Sequence, residues 1–168
     1  MDPLFLFVES SALSTFIRES ASLWVFPFIL ILHTVGLAFF VGVNLVWDVR
    51  LLGAGAGVPL ASLERYVLAM WLGFWINAVS GVLLLIAYPT KALTNPVFYL
   101  KLTLIGVGLA GAMRLRRYLV APTAPQGERA PTHVRVLAAA SLACWGGVIF
   151  AGRFLAYTCT RLTVDFTC

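Results

Sequence analysis

Residues 24–47, WVFPFILILHTVGLAFFVGVNLVW, decide the fold of this chain. The stretch contains no Asp, Glu, Lys or Arg, and its one ionisable side chain is that of His33. Because the hydrocarbon core of a bilayer is about 30 Å thick, a helix needs roughly 20 such residues to cross it. The stretch therefore predicts a transmembrane helix.

Three more largely apolar stretches lie at residues 67–88, 97–117 and 134–157. The whole chain is 61% hydrophobic and 11% charged, whereas a water-soluble domain carries about 25% charged residues. This composition excludes a soluble globular enzyme. We predict an all-α fold, an integral membrane four-helix bundle that occupies residues 24–157.

The segments on either side of the bundle are short. Within the N-terminal interfacial segment, residues 1–23, helical spacing predicts a short helix on the membrane surface. The residues that follow this spacing are Leu13, Phe16, Ile17, Ser20 and Leu23. Residues 158–168 are expected to form a C-terminal tail.

Lys and Arg are divided unevenly between the two ends of the predicted bundle. Because cytoplasmic loops are enriched in these residues, we expect a bacterial inner-membrane protein with the first and third loops in the cytoplasm and both termini in the periplasm. The side of those two loops carries Arg50, Arg65, Arg114, Arg116, Arg117, Arg129 and Arg135.

The cysteines and the missing motifs limit the chemistry. Cys159 and Cys168 lie on the periplasmic side of this topology, where an oxidising compartment makes them a candidate disulfide, and Cys144 is expected to be a small core residue. The chain has no C-x-x-C, C-x-x-C-H or H-E-x-x-H motif and no Gly-rich phosphate loop. We therefore expect the chain to have no catalytic activity of its own.

The net charge of +5 reflects the enrichment of basic residues in cytoplasmic loops of membrane proteins, so no nucleic-acid partner is expected.

Ionisable residues inside membrane spans are costly and mark functional sites by default. Here they are His33, Lys101 and Arg153. His33 is nine residues from Trp24, or roughly 13 Å below the membrane boundary, and the two cations sit about one turn inside their helix ends. All three are predicted to lie in the outer half of the bilayer.

Two helix faces add uncharged polar groups to this region. Asn44 lies about 20° from His33 around the first helix, and Asn77 and Ser80 share a face of the second helix. Polar atoms on an apolar helix are expected to face the bundle, because lipid offers them no partner.

Three interpretations of His33 stay open. In the first, the imidazole makes an interhelical hydrogen bond to Ser80 or Asn77. In the second, it is an axial metal ligand of a b-type haem whose propionates pair with Lys101 and Arg153. In the third, it binds a quinone carbonyl and exchanges protons.

A second axial ligand is the difficulty for haem. His133, the other histidine, lies before the fourth helix, roughly 20 Å away in depth from His33. Met70 and Met113 also lie toward the cytoplasmic end. A haem with two histidine ligands would need a partner chain, unless its iron is five-coordinate.

The chain resembles CopD-like bacterial membrane proteins, in particular an uncharacterised four-helix branch. The run from Trp24 through His33 to "WDVRLLG", together with "NPVFYLK" and "SLACWGGVIFAGRFLAY", carries the resemblance. It implies a four-helix bundle and a link to copper handling or membrane redox chemistry. The positions that match by motif are His33, Asp48, Arg50, Lys101 and Arg153.

One departure from that branch concerns the third helix. Asn and His are expected late in this helix, where the chain has Gly111-Ala112-Met113-Arg114. The helix therefore supplies no second metal or haem ligand. From the residues themselves, Asp48 and Arg50 are expected to form a helix-end anchor with a local ion pair.

These patterns favour an integral membrane subunit or anchor of a membrane electron-transfer assembly, with haem b or a quinone in its outer half. The expected partners are the lipid bilayer and other membrane or periplasmic subunits. The alternative is a purely structural or accessory subunit that binds lipid. A copper or small-solute permease is a third possibility, disfavoured because the inner half offers little polarity beyond Asn44 and Asn77.

Overall fold

A computed structural model describes residues 3–19, 24–54, 59–120 and 130–158. Within these ranges the structure is helical and contains no strand. A 3-10 helix, Leu60–Tyr66, leads into the fourth of seven α-helices. The α-helices are α1 (Pro3–Glu9), α2 (Ala12–Glu19), α3 (Val25–Leu52), α4 (Val67–Ala87), α5 (Pro89–Leu93), α6 (Pro96–Val120) and α7 (Thr132–Tyr157).

Four helices are long and apolar enough to cross a membrane, which indicates a multi-pass membrane protein. The segments that meet these criteria are Val25–Leu51, Ser62–Ala87, Pro96–Leu119 and Thr132–Tyr157. They agree with the four predicted spans to within a few residues at most ends. For the described residues, the prediction of a helical fold with four helices long and apolar enough to cross a membrane is confirmed.

The four long helices pack in pairs. α3 packs along α4, α6 packs along α7, and α3 joins the two pairs through α7. We call the end of the bundle with Val25 and Tyr157 the terminal end. The opposite end, with Leu52 and Arg117, is the arginine end.

Two glycines allow α3 and α4 to approach closely. A Cβ atom at Gly36 would lie 2.6 Å from the backbone nitrogen of Asn77, and one at Gly73 would lie 2.8 Å from the carbonyl oxygen of Gly36. Close backbone contact through small residues is the usual way in which membrane helices associate, because lipid supplies no hydrophobic force between them.

The half of the bundle toward the arginine end has a core to which all four long helices contribute. Trp145 is fully buried, its ring meets the edge of Phe40 at a centroid distance of 5.0 Å, and it lies against Gly108. Trp145 therefore fills the interior of the bundle, whereas Trp75 is 61% exposed.

Toward the terminal end the packing is different. Ile17, Ile29 and Ala87 form a second buried apolar cluster, which α2, α3 and α4 supply together with Tyr88. Among the described residues, this cluster contains none from α6 or α7. The two helix pairs are therefore joined by apolar packing mainly in the other half.

The N-terminal segment forms two short helices where one interfacial helix was predicted. The Ser11 hydroxyl accepts a hydrogen bond from the backbone N–H of Ser14 at 3.3 Å and so caps α2, which separates it from α1. Ile17 is buried against the bundle, while Leu13 and Phe16 are exposed. Ser20 and Leu23, which also belong to the predicted helix, lie outside the described residues.

Large apolar side chains cover the outer surface of the long helices. Phe150 is 79% exposed, and Leu68 and Val107 are more than half exposed. Such a surface fits contact with lipid acyl chains, because a soluble protein rarely exposes a continuous apolar surface of this extent.

Candidate functional site

His33 lies on α3 and its ring is held by α4. The ring nitrogen Nδ1 is 3.0 Å from the carbonyl oxygen of Asn77 and 3.1 Å from the hydroxyl oxygen of Ser80. In return, the Asn77 amide nitrogen donates to the backbone carbonyl of His33 at 2.7 Å. The structure thus brings together three predicted site residues in one interhelical network.

The backbone acceptor decides which nitrogen of His33 carries a proton. A carbonyl oxygen only accepts hydrogen bonds, so Nδ1 is the donor to Asn77. The Ser80 hydroxyl donates to the carbonyl of Ile76 at 2.6 Å, and its oxygen can share the Nδ1 proton. In the neutral ring, Nε2 then carries a lone pair, and it has no hydrogen-bond partner among the described residues.

A glycine gives the imidazole its place between the helices. A Cβ atom at Gly81 would lie 3.1 Å from Cε1 and 3.5 Å from Nδ1 of His33. The ring therefore lies directly against the α4 backbone, which fixes its orientation. A metal-ligating histidine is usually fixed in this way, by a hydrogen bond from the nitrogen that does not bind the metal.

Lys101 reaches the same level of the bundle from α6. Its side chain crosses Gly152 of α7, where a Cβ atom would lie 3.7 Å from Nζ and 3.8 Å from Cε. Its ammonium is close enough to His33 to act on it electrostatically. Within the described part of the chain, Lys101 makes no hydrogen bond and no ion pair. We call His33, Asn77, Ser80, Gly81 and Lys101 the His33 site.

Arg153 is not brought into the His33 site. It follows Gly152 on α7 and is exposed, with no hydrogen bond or ion pair to the residues that the structure describes. Neighbouring positions on a helix point about 100° apart. Lys101 packs on the face of Gly152, so Arg153 is directed away from it.

Asn44 also lies apart from His33. Eleven residues of α3 separate them, which is about 16 Å along the axis. Asn44 is buried, and its amide nitrogen donates to the carbonyl of Phe40 at 2.7 Å. It belongs to a different polar group nearer the arginine end.

Asp48 is the second member of that group, and it was expected at a helix end. The helix continues to Leu52, so Asp48 lies inside it, only 1% exposed and beside Ser141 of α7. Oδ2 of Asp48 and Oγ of Ser141 both lack a partner at hydrogen-bonding geometry among the described residues. Sequence reasoning missed Ser141, although it is the one serine in α7.

In the His33 site, His33 is the one side chain of a usual haem-ligand type. The described ranges hold no group of three or more His, Cys, Asp or Glu side chains that could bind a metal ion. His133 is exposed on the first turn of α7, at the arginine end. His33 could therefore fill one axial position of a haem, whereas a quinone needs only hydrogen-bonding groups.

The cysteines have no part in the His33 site. Cys144 is buried, as expected, and its thiol donates to the carbonyl of Leu104 at 3.0 Å. The candidate disulfide between Cys159 and Cys168 lies outside the described residues.

Comparison with protein-family models, with curated proteins and with solved structures finds no match to this chain. Its function is therefore argued from the residues and their geometry.

Proposed function

We propose that the chain is an integral membrane subunit or anchor of a membrane electron-transfer assembly, and that its His33 site holds the headgroup of a quinone. The supporting observation is the orientation of the imidazole. Nδ1 is bound by the Asn77 carbonyl, while Nε2 and the Lys101 ammonium lack partners among the described residues.

The chemistry of a quinone suits these two groups. The Lys101 ammonium can donate a hydrogen bond to a quinone carbonyl, and Nε2 of His33 can accept one from a hydroxyl of the reduced headgroup. Lipid offers neither group a partner, so a polar headgroup between them relieves the cost of burying them. The isoprenoid tail of a quinone would lie along the apolar helix surfaces.

Haem b is a second candidate, because the orientation of His33 also suits an axial ligand. Haem would supply electron transfer, with Lys101 pairing with one propionate. The second axial position would need a partner subunit or stay open. Quinone is favoured because it needs no group beyond those at the site.

The resemblance to CopD-like proteins and the distribution of basic residues support the same proposal. The resemblance implies membrane redox chemistry or copper handling. The arginine end would face the cytoplasm, since Arg114, Arg116 and Arg117 cluster there. Both termini and the His33 site would then lie on the periplasmic side of a bacterial inner membrane, where other membrane or periplasmic subunits could exchange electrons with the site.

A structural role that binds lipid is the main alternative, favoured by the reciprocal hydrogen bonds between His33 and Asn77, which tie α3 to α4. A copper or small-solute permease is not proposed. Translocation needs polar groups along the whole path, and here the packed rings of Phe40, Phe74 and Trp145 occupy the middle of the bundle.

The quinone content of the purified protein tests the proposal. The wild type should retain extractable quinone, and His33→Gln should lose most of it while the protein stays folded. His133→Gln is the control and should retain wild-type content, because that histidine is exposed at the other end. A b-type α band in the reduced-minus-oxidised spectrum would show that the bound cofactor is haem rather than quinone. Equal quinone content in all three proteins, with no haem absorption, would overturn both the quinone and the haem proposal.

A further inference from the structure

A cleft of about 440 Å³ lies between α4 and α6 near the arginine end. α4 packs mainly on α3, and α6 packs mainly on α7, so this side of the bundle is left partly open. The volume falls within the range of small-molecule sites in proteins, about 300–1,000 Å³. The cleft is lined by Met70, Trp71, Leu109, Ala112, Met113, Arg116 and Arg117.

The lining combines apolar walls with two cationic groups. Nε of Arg116 is buried and has no hydrogen-bond partner among the described residues. Neither Arg116 nor Arg117 forms an ion pair with a carboxylate in that part of the chain. Burying a donor without an acceptor is costly. An anionic ligand in the cleft would supply the missing acceptor.

We infer that this cleft binds one anionic phospholipid, with its phosphate on Arg116 and Arg117 and an acyl chain along the apolar wall. The arginines stand within about one turn of the end of a membrane-crossing helix, which is the depth of a lipid headgroup. Basic pockets between membrane helices bind acidic lipid headgroups elsewhere. Trp71 at the same level fits the aromatic residues that mark this boundary.

The apolar walls favour a lipid over a small soluble anion. Met70, Leu109 and Met113 offer no polar group to a water-soluble ligand, but they match an acyl chain. The cleft is also separate from the His33 site. Met70 and Ser80 are ten residues apart on α4, or about 15 Å along the helix. Occupation of the cleft is therefore independent of a quinone at His33.

Native mass spectrometry of the purified full-length protein tests the inference. The probes are dimyristoyl phosphatidylglycerol and dimyristoyl phosphatidylcholine, which share acyl chains and differ in headgroup charge. We expect the wild type to bind phosphatidylglycerol at least tenfold more tightly. Removing a basic group near the surface costs about fivefold in affinity, so R116Q/R117Q should lose roughly 25-fold, and R135Q, whose exposed side chain lies outside the cleft, should lose little.

A second variant tests the shape of the cleft rather than its charge. Ala112→Leu would fill the space beside Leu109 and should weaken phosphatidylglycerol binding with both arginines in place. Ala112 is only 3% exposed, so Leu109→Phe, at a partly buried wall position, gives the same test if that variant does not fold.

Three results would overturn the inference. The first is equal affinity for the two lipids. The second is equal loss of binding in R116Q/R117Q and R135Q, which would show a diffuse electrostatic effect. The third is displacement of the lipid by millimolar inorganic phosphate, which would assign the arginines to a soluble anion.

Discussion

The two halves of the bundle use the same four helices but pack differently. Toward the arginine end, Phe40, Trp145 and Met70 belong to a continuous buried cluster to which all four long helices contribute. Toward the terminal end, the buried cluster contains residues of α2, α3 and α4, while His33 contacts α4 and Lys101 contacts α7. One half thus holds the two helix pairs together, and the other contains the His33 site.

This difference separates the residues that stabilise the bundle from those of the His33 site. Changes in the first half should affect folding. Changes at the His33 site should affect ligand content more than stability. The predictions below test that separation, beginning with the largest effect on stability.

The largest loss of stability is expected for Trp145→Ala. The ring is fully buried between Phe40 and Gly108, so its removal leaves a cavity where the helix pairs meet. We expect a loss of about 3 kcal/mol, at the low end for buried Trp→Ala changes because the reference environment is lipid rather than water. Trp75→Ala is the control, since that ring is 61% exposed. Unfolding in SDS-containing mixed micelles measures both, and equal midpoints would contradict the assignment of the core.

A smaller loss is expected for Gly36→Ala. The new Cβ atom would lie 2.6 Å from the backbone of Asn77, so α3 and α4 would have to separate, at a cost of about 1–3 kcal/mol. Gly42→Ala is a matched control on the same helix, because nothing lies within 4 Å of its Cβ position. The thermal unfolding midpoint in detergent should fall for the first variant alone. A fall of the same size in both would indicate that the close contact is not specific to Gly36.

The smallest effect on stability is expected for Asn77→Ala. This change removes one hydrogen bond to the His33 carbonyl, 2.7 Å long, and such bonds between membrane helices contribute about 0.6 kcal/mol on average. Thr103→Ala, which loses a bond within its own helix, should change stability about as little. Both variants should keep wild-type quinone content, because the backbone carbonyl of Asn77 that accepts from the His33 ring remains after the change to Ala. A loss of quinone in the Asn77 variant alone would contradict this account, because it would show that the amide side chain positions the ring.

The sequence predicted the membrane-crossing helices well because span length depends on apolar composition alone. The third predicted span, residues 97–117, is longer in the structure, where the helix is Pro96–Val120. At its C-terminal end, the arginine side chains can reach the interface without ending the helix. The break between α1 and α2 was missed, since the capping hydroxyl of Ser11 acts locally within an otherwise helical pattern.

The site was predicted in part. One of the three sequence interpretations of His33 was a hydrogen bond to Ser80 or Asn77, and the structure places both next to its ring. This contact could be anticipated because α3 and α4 are sequence neighbours that pack along their length. Depth alone placed Arg153 with them, but depth does not determine which way a side chain points around its helix. The contact of Asp48 with Ser141 was missed for a related reason, since the periodicity of one helix does not specify which other helix it faces.

Photolabelling tests the central claim most directly, because it reports where a quinone binds. The purified protein would be illuminated with an azido-substituted quinone, and the labelled peptides identified by mass spectrometry. We predict label on peptides that contain His33 or Lys101, suppressed by excess unlabelled quinone. Label confined to the cleft lined by Met70 and Arg117, or label that excess quinone does not reduce, would contradict a quinone site at His33.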